Sequence, residues 1–513
     1  MLSSVNWIHN IPFFAISLSL VCSMVAVFVD NARVSYIIHL CLVFFVGCLS
    51  FVLLLHTVSM EEIFTFNMGS VGAPWGNELM AGPLEALMAT VFSIIFFLVY
   101  FGNSDFIFND IPKERQQYYF VMLNALFAST AAIIYTNDIF TAYIFIEINT
   151  IAACALVMLK GNGKSMVGTL HYMVVSLAGS GLFLLGFAIL YSITGHLLFQ
   201  DLQFAISELM QQGDYQFPFL VVSAVMIIGI AIRTALFPFH SWLTEFSPVG
   251  SPAFSSILTA VIVNSYIIFM IKLTVSVFTV DLMHSLEITN ILFVFGLMGM
   301  FFGSLQATKE RRMKRMLSYS SVAQIGYIYM GLGIGSVVGI TAACFHIIAH
   351  AFGKTMLYLC CGRFMEVSGK KDDIFAMRGV ALDNPIAGVG YTLGGLSMIG
   401  IPMMAGFSSK FYFASAATYD PFRTIIVLVG LGISMILNAL YFLPSIMAIW
   451  RPRKSLGEER EIRSFRSDPS PRRFRYTMII LIFINLILGV WFNPMINAIS
   501  LGIELLMGMS MVS

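Results

Sequence analysis

Apolar stretches of about 20 residues recur from one end of this sequence to the other. An α-helix needs roughly that length to cross the hydrocarbon core of a bilayer. The 513 residues are 58% hydrophobic and only 11% charged, and the mean hydropathy is +0.87, which is too apolar for a domain with a wetted surface. The sequence therefore predicts an all-α integral membrane protein without a separate soluble domain.

Turn residues and charges divide the apolar stretches into about fourteen predicted transmembrane helices. An even number places both termini on the same side of the membrane. The predicted helices cover residues 12–30, 35–57, 79–102, 118–136, 138–159, 165–193, 217–246, 253–278, 287–307, 313–333, 335–364, 385–416, 422–449 and 475–502.

Basic residues gather in alternate loops, as expected if the helices are counted correctly. All but five of the 28 Lys and Arg residues lie in connections from an odd-numbered to an even-numbered helix. Positive charge marks cytoplasmic loops, so we expect basic loops in the cytoplasm and both termini outside a cell inner (cytoplasmic) membrane. The net charge of +1 gives no reason to expect a nucleic acid as a partner.

The five remaining cations interrupt predicted helices. Lys272 and Arg423 lie near predicted helix ends, where long side chains reach the membrane interface, and we expect both to do so. Arg233, Lys354 and Lys410 are left deep in the bilayer.

An acidic residue accompanies these cations. Glu147 lies nine residues into a helix that begins at Asp138, which is about 13 Å at 1.5 Å per residue. A charge at the bilayer centre costs at least about 2.5–3.5 kcal/mol, so a scattered set of charges favours a polar ion path over a single structural brace. The predicted path consists of Glu147, Arg233, His346, His350, Lys354 and Lys410.

Prolines and glycines predict interruptions in helices 7 and 12. Pro238 follows Arg233 in helix 7, and Pro402 and Gly406 precede Lys410 in helix 12. Proline removes a backbone donor and clashes with the preceding turn. Two broken helices five positions apart, each with a nearby cation, favour two inverted five-helix repeats; ordinary proline kinks are the alternative. The predicted division is 1–110 (helices 1–3), 118–278 (first repeat), 287–449 (second repeat), 450–474 (basic cytoplasmic loop) and 475–513 (helix 14 and C-terminus).

Three titratable residues share one face of helix 11. His346, His350 and Lys354 follow one another at intervals of four, and such residues are neighbours on a helix surface. Histidine titrates near neutral pH, so this face is suited to proton transfer. A His pair at this spacing also suits zinc, but no third ligand accompanies it, so we predict no metal site. The sequence shows no motif for quinone, flavin, haem or iron–sulfur binding, so we expect no cofactor and no redox chemistry of its own.

These segments together resemble the antiporter-like subunits shared by respiratory complex I, Mrp-type cation/proton antiporters and membrane-bound hydrogenases. Their order and spacing match that family from about residue 100 to 445. The segments are Asn137-Asp138, Phe145-Ile-Glu147-Ile, Ile232-Arg-Thr-Ala-Leu-Phe-Pro-Phe-His240, 314–327, His346 to Lys354, and Gly400 to Lys410.

The resemblance implies a role for each predicted residue of the ion path. In the family a glutamate of helix 5 pairs with a lysine of helix 7, and a lysine or glutamate of helix 12 opens the other half. Glu147 matches the first role and Lys410 the last. His346, His350 and Lys354 match the intervening polar chain of helix 11.

Two positions depart from the family pattern. Arg233 replaces the lysine of helix 7, and Asn264 stands where the family has a cation in helix 8. Arginine stays protonated in proteins and cannot release its proton as a lysine does. We therefore expect an altered N-terminal half, in which Arg233 holds Glu147, and a C-terminal half that keeps its proton relay.

The resemblance implies an ion-translocating subunit, with proton transport and sodium coupling, that works beside other membrane subunits. The chain is similar in type to the Mrp D-like subunit, and any oxidoreductase activity would belong to partner subunits. A stand-alone secondary transporter and a non-conducting scaffold subunit are the alternatives. The basic segment Arg451–Arg475 either docks a cytoplasmic partner or anionic lipid, or is a solvated loop that fixes topology.

Overall fold

The structure, a computed structural model, describes residues 7–68, 76–213, 215–369, 372–419, 421–452, 468 and 470–508. Most of the predicted basic loop, residues 453–467 and 469, lies outside the described residues. The helices are α1 (Ile11–Val27), α2 (Ala32–Met60), α3 (Pro83–Gly102), α4 (Ser104–Asp110), α5 (Gln116–Tyr135), α6 (Ile139–Met158), α7 (Gly163–Thr194), α8 (Phe199–Gln211), α9 (Gln216–Arg233), α10 (Ser241–Val249), α11 (Pro252–Val277), α12 (Val280–Ser285), α13 (Ile288–Lys309), α14 (Met313–Gly333), α15 (Val337–Val367), α16 (Val380–Asp383), α17 (Pro385–Ile399), α18 (Ala405–Ala416), α19 (Pro421–Trp450), α20 (Arg472–Val490) and α21 (Asn493–Gly508).

The predicted fold class, an all-α integral membrane protein, is confirmed. Twelve helices among the described residues are long and apolar enough to cross a membrane. Two further predicted spans correspond to α14 and to the pair α17–α18, which are not among these twelve. The total of fourteen therefore stays a prediction.

A short hairpin separates α2 from α3. Strand β1 (Phe64–Asn67) pairs antiparallel with β2 (Glu78–Ala81), with Phe64 opposite Ala81. The sequence placed the start of helix 3 at residue 79, but the helix begins at Pro83. Proline is favoured in the first turn of a helix because its missing N–H has no partner there. The strand residues before it belong to the hairpin.

The spans predicted as helices 7 and 12 are interrupted where the sequence predicted. The first break separates α9 from α10 and contains Pro238. The second separates α17 from α18 and contains Pro402; at its start Gly400 has a φ of 101°, a backbone conformation that favours glycine. Gly406 then lies so close to α17 that a Cβ would be 1.9 Å from the carbonyl oxygen of Ser397. The break therefore places α18 directly against α17.

The prediction of one continuous helix over 475–502 is wrong. Helix α20 ends at Val490 and α21 begins at Asn493. Pro494 follows at the second position of α21, where a proline starts a helix more readily than it continues one. The helix before this third break contacts the helix after the second, because the Ser408 hydroxyl of α18 donates to the Gly489 carbonyl of α20 at 2.7 Å.

Helices α11 and α15 lie at the centre of the bundle. The most apolar stretch of α11 is fully buried within the protein, and 89% of the corresponding stretch of α15 is buried. The Ser256 hydroxyl of α11 donates to Thr355 of α15 at 3.2 Å. Polar side chains on these two helices therefore face other helices of the same chain.

Candidate functional site

Glu147 and Arg233 form the ion pair that the sequence predicted. Arg233 Nη1 lies 3.0 Å from Glu147 Oε1, and the side chains of Arg233 and Glu147 are 2% and 21% exposed, respectively. The guanidinium also donates to the carbonyls of Ser176 (3.2 Å) and Ile146 (3.1 Å) and to the hydroxyl of Thr150. Arginine offers five donors in a rigid fork, and four partners hold this one. Arg233 is a fixed cation.

A chain of polar side chains extends from this pair into the bundle. The Arg233 guanidinium lies 5.1 Å from the centre of the Tyr266 ring. The Tyr266 hydroxyl donates to Asn149 Oδ1 at 2.9 Å, and Asn149 Nδ2 donates to Ser129 and Thr130 at 3.0 and 3.1 Å. These residues join α5, α6 and α11 around the ion pair.

Asn264 lies in α11, which is the predicted helix 8. It carries no charge, although the family has a cation at this position. It is buried on α11, and its Nδ2 donates to the carbonyl of Ala260, one turn back, at 2.8 Å. An amide neither gains nor loses a proton at physiological pH, so this position cannot relay one.

His346, His350 and Lys354 share one buried face of α15, as predicted. The two imidazole rings are nearly parallel, with their centres 6.4 Å apart. His346 Nδ1 hydrogen-bonds with the Ser409 hydroxyl at 2.9 Å, and Lys354 Nζ donates to the Leu317 carbonyl at 2.8 Å. Neither ring nitrogen of His350 has a partner among the described residues. A buried polar group without a partner costs about 1–3 kcal/mol, which argues against a purely structural role for His350.

The break between α17 and α18 creates the site of Lys410. Lys410 Nζ donates to the carbonyls of Met398 and Ile399 at 2.7 Å each. Both carbonyls belong to the last turn of α17, where no further helical N–H follows. The ammonium also lies 5.3 Å from the centre of the Tyr327 ring. A continuous helix would have left these carbonyls bonded and Lys410 without partners.

Lys410 belongs to the same group of side chains as His346, His350 and Lys354 of α15. Ser409, which contacts His346, precedes Lys410 on α18. Tyr327 of α14 also connects them, because its ring centre lies 5.2 Å from that of His346 and 5.3 Å from the Lys410 ammonium. The predicted path residues therefore form two groups, the Glu147–Arg233 pair and the row of His346, His350, Lys354 and Lys410.

Residues beside the two groups form hydrogen bonds with α14 and α19. The Thr234 hydroxyl, next to Arg233, lies 2.7 Å from the Tyr329 hydroxyl of α14. Asn438 of α19 donates to the Met398 carbonyl beside Lys410 at 3.3 Å and accepts from the Tyr441 hydroxyl at 2.7 Å. Helix α14 thus contacts both groups.

The expectation that Lys272 reaches the membrane interface is wrong. Lys272 and Glu85 are both 0% exposed, and Lys272 Nζ lies 3.7 Å from Glu85 Oε1. The ammonium also donates to the carbonyls of Ile134 and Thr136 at 2.8 Å each. Lys272 lies near the end of α11, but α11 is a central helix, so that end is covered by neighbouring segments. Arg423, in contrast, is only partly buried near the start of α19.

Sequence spacing places Lys272 on the same helix face as Asn264, but it does not show that this end of the helix is covered. Lys272 follows Asn264 by eight residues, and residues at that interval lie on roughly the same face of a helix. Its acid, Glu85, lies in the first turn of α3, where Oε2 accepts from the Gly82 amide at 3.0 Å. The first half of the protein therefore contains a buried lysine–carboxylate pair in addition to Glu147 and Arg233.

An acidic side chain, Glu78 of β2, is hydrogen-bonded to the residue that follows Thr136. Asn137, which follows Thr136, donates to Glu78 Oε1 at 2.8 Å. Burial raises the pKa of Glu78 above its ordinary value, the Asn137 hydrogen bond lowers it, and the charges of Asp201 and Asp138 raise it. The Glu78 carboxyl is thus linked to the Lys272–Glu85 pair through Asn137 and the neighbouring Thr136 carbonyl.

The fold defines a polytopic membrane protein with charged and polar side chains buried between its helices. Residues 136–436 match the family described as NADH:quinone oxidoreductase/Mrp antiporter, TM, and the chain belongs to this family. It is 31% identical over 434 residues to NADH-quinone oxidoreductase subunit N of Desulforudis audaxviator, covering 83% of this chain and 82% of that protein. It is also 31% identical over 405 residues to the D-type Na(+)/H(+) antiporter subunit of Alkalihalophilus pseudofirmus, covering 78% and 79%.

Solved structures share the fold along nearly the whole chain. A chain of the membrane-bound sulfane sulfur reductase, an archaeal respiratory membrane complex, superposes with a TM-score of 0.85 at 22% identity, covering 98% of this chain and 99% of that one. A chain of the Mrp complex from Dietzia sp. gives a TM-score of 0.84 at 19% identity, covering 98% and 100%. The family that the sequence motifs predicted is confirmed.

Proposed function

We propose that this chain is an ion-translocating subunit of a multisubunit membrane complex, and that protons cross it through the buried titratable groups of α15 and α18. The predicted type of protein, an ion-translocating membrane subunit, is confirmed by the family and by relatives that are subunits of complex I and of Mrp antiporters. The observation that supports the proton path is the contact of His346 with both Ser409 and Tyr327, which also surround Lys410.

The chemistry of this row suits proton transfer. Imidazole and a desolvated ammonium exchange protons, whereas a structural cation keeps its proton. His350 lies between His346 and Lys354 with both nitrogens unpaired among the described residues, so it is free to accept from one neighbour and donate to the other. Lys410 rests on two carbonyls, which accept hydrogen bonds but cannot accept a proton. A proton released by Lys410 therefore moves along the row.

The first half works differently in this proposal. Arg233 stays protonated and holds Glu147 as a fixed pair, so it does not carry protons. The lysine–carboxylate pair of Lys272 and Glu85 has the exchangeable proton that Arg233 lacks. We assign proton exchange in the first half to this pair, and we assign the two five-helix repeats to residues 118–278 and 287–449.

The relatives point to the partners and the location. The solved structures that share the fold are chains of multisubunit membrane complexes, and we propose other integral membrane subunits as partners here. We place the chain in the cytoplasmic membrane with both termini outside and the basic loops inside, because cytoplasmic loops carry the excess of Lys and Arg. The Na(+)/H(+) antiporter relative makes sodium coupling part of the proposal.

Replacing Lys410 tests the proton path. In membrane vesicles that contain the complete complex, Lys410→Ala removes the ammonium, and we expect proton transport to fall to background. Lys164→Ala, which removes an exposed lysine, is the matched control and should leave transport unchanged. Normal transport by Lys410→Ala would exclude the path and favour a scaffold subunit. Function as a purified single chain would favour a stand-alone transporter.

A further inference from the structure

Three side chains with metal-binding atoms lie close together between the start of α1 and the end of α2. His9 lies in the 3₁₀ turn Trp7–Asn10, His56 lies in the last turns of α2, and Glu62 follows the end of that helix. One ligand atom from each residue lies within 4.8 Å of the other two. We propose that these residues bind a divalent transition-metal ion of the Zn²⁺ class. The site lies outside residues 136–436, which match the family.

The two histidines have nitrogens available for a metal. His9 Nε2 and His56 Nδ1 are shielded from solvent and have no hydrogen-bond partner among the described residues. Buried polar atoms normally have a partner, and each exception needs an explanation. A metal ion that binds both lone pairs removes this cost for both rings together.

Neighbouring residues hold the ligands in place. The imidazole rings of His9 and His56 meet edge to face with their centres 5.9 Å apart. The Phe64 ring stacks on His9 at 4.3 Å, which limits rotation of that ring. Glu61 ends α2 in the left-handed conformation, with a φ of 54°, and so turns the chain at the residue before Glu62.

The type of ligand determines the class of metal. Two imidazoles and one carboxylate suit Zn²⁺ and related transition metals, whereas Mg²⁺ and Ca²⁺ prefer oxygen ligands only. Zn²⁺ binds such atoms at about 2.0–2.2 Å, so the three side chains need only small rotations to close around one ion. Water completes a tetrahedral site with three protein ligands. The bound ion would fasten the N-terminal turn to the end of α2.

Metal titration of the purified full-length chain tests this site. We expect one equivalent of Co²⁺ to give the visible absorption of a tetrahedral ion, and Zn²⁺ to displace it. In His9→Ala/His56→Ala we expect the affinity for Zn²⁺, measured against a chromophoric chelator, to fall by at least about 100-fold, because even outer partners of metal ligands contribute about 10–100-fold. Zn²⁺ should also raise the unfolding temperature of the wild type and not of this variant.

Matched variants separate this site from other histidines. His196→Ala/His284→Ala removes two exposed histidines and should bind one Zn²⁺ as the wild type does. Glu62→Gln keeps both rings and should weaken binding by a smaller factor, which gives a second test if the double variant does not fold. The proposal is wrong if the wild type shows no stoichiometric binding, or if binding is equal in the wild type and in Glu62→Gln and the double variant. Because the readout is metal binding, the result does not depend on the proposed function.

Discussion

The Lys272–Glu85 pair makes the sharpest prediction about the first half of the protein. Both side chains are fully buried, and Lys272 also holds the carbonyls of Ile134 and Thr136. Lys272→Met removes the cation and leaves the Glu85 carboxylate buried with the Gly82 amide as its hydrogen-bond donor. Removing one partner of a buried ion pair costs about 3–5 kcal/mol, so we expect a large loss of stability.

The double variant distinguishes charge from packing. Lys272→Met/Glu85→Gln removes both charges with little change in volume, so the buried charge disappears and only the two carbonyls lose a donor. That residual cost is about 1–3 kcal/mol, and the double variant should therefore be more stable than Lys272→Met alone. The measurement is the thermal unfolding of the purified protein, with Lys164→Ala as the control that removes an exposed lysine.

Proton transport in vesicles adds a readout that a purely structural pair would not change. If the pair exchanges protons, the double variant regains stability but not transport through the first half. If the pair is only a structural brace, stability and transport recover together. Two results would refute the reasoning about the buried pair: a stable Lys272→Met, or a double variant that is less stable than Lys272→Met.

Three further changes test other parts of the structure. Arg233→Lys replaces a permanent cation by one that releases a proton, so transport in vesicles should rise; an equal or lower rate in a folded protein would contradict the fixed-pair assignment. Gly406→Ala places a Cβ 1.9 Å from a backbone oxygen and should cost about 1–3 kcal/mol in thermal unfolding, whereas the Cβ of Gly432→Ala meets no atom within 4 Å beyond its own stretch of helix and should cost nothing. Burial raises the pKa of Glu78 above its ordinary value, so the wild type should lose stability as pH rises from that value through the raised pKa; in Glu78→Gln the decrease in unfolding temperature should be smaller, with the remainder due to Asp138 and Asp372, whose pKa values burial also raises.

Local features of the sequence predicted much of the architecture. Membrane spans depend on the composition of a continuous segment, and Pro238 and Pro402 disrupt helices through their own covalent structure. The common face of His346, His350 and Lys354 follows from spacing along a single helix. These predictions needed no knowledge of how helices pack. Pro494 held the same kind of signal for the third break, between α20 and α21, but the apolar residues around it favoured one continuous span.

The sequence by itself determined that this chain crosses a membrane, where two of its helices break, and which titratable residues share a face of α15. Tertiary structure alone decided that Lys272 is buried, because α11 lies at the centre of the bundle, and that its partner is Glu85 of a distant helix. It also brought His9, His56 and Glu62 together. Burial and pairing depend on which helices pack side by side, and no spacing within one segment encodes those contacts.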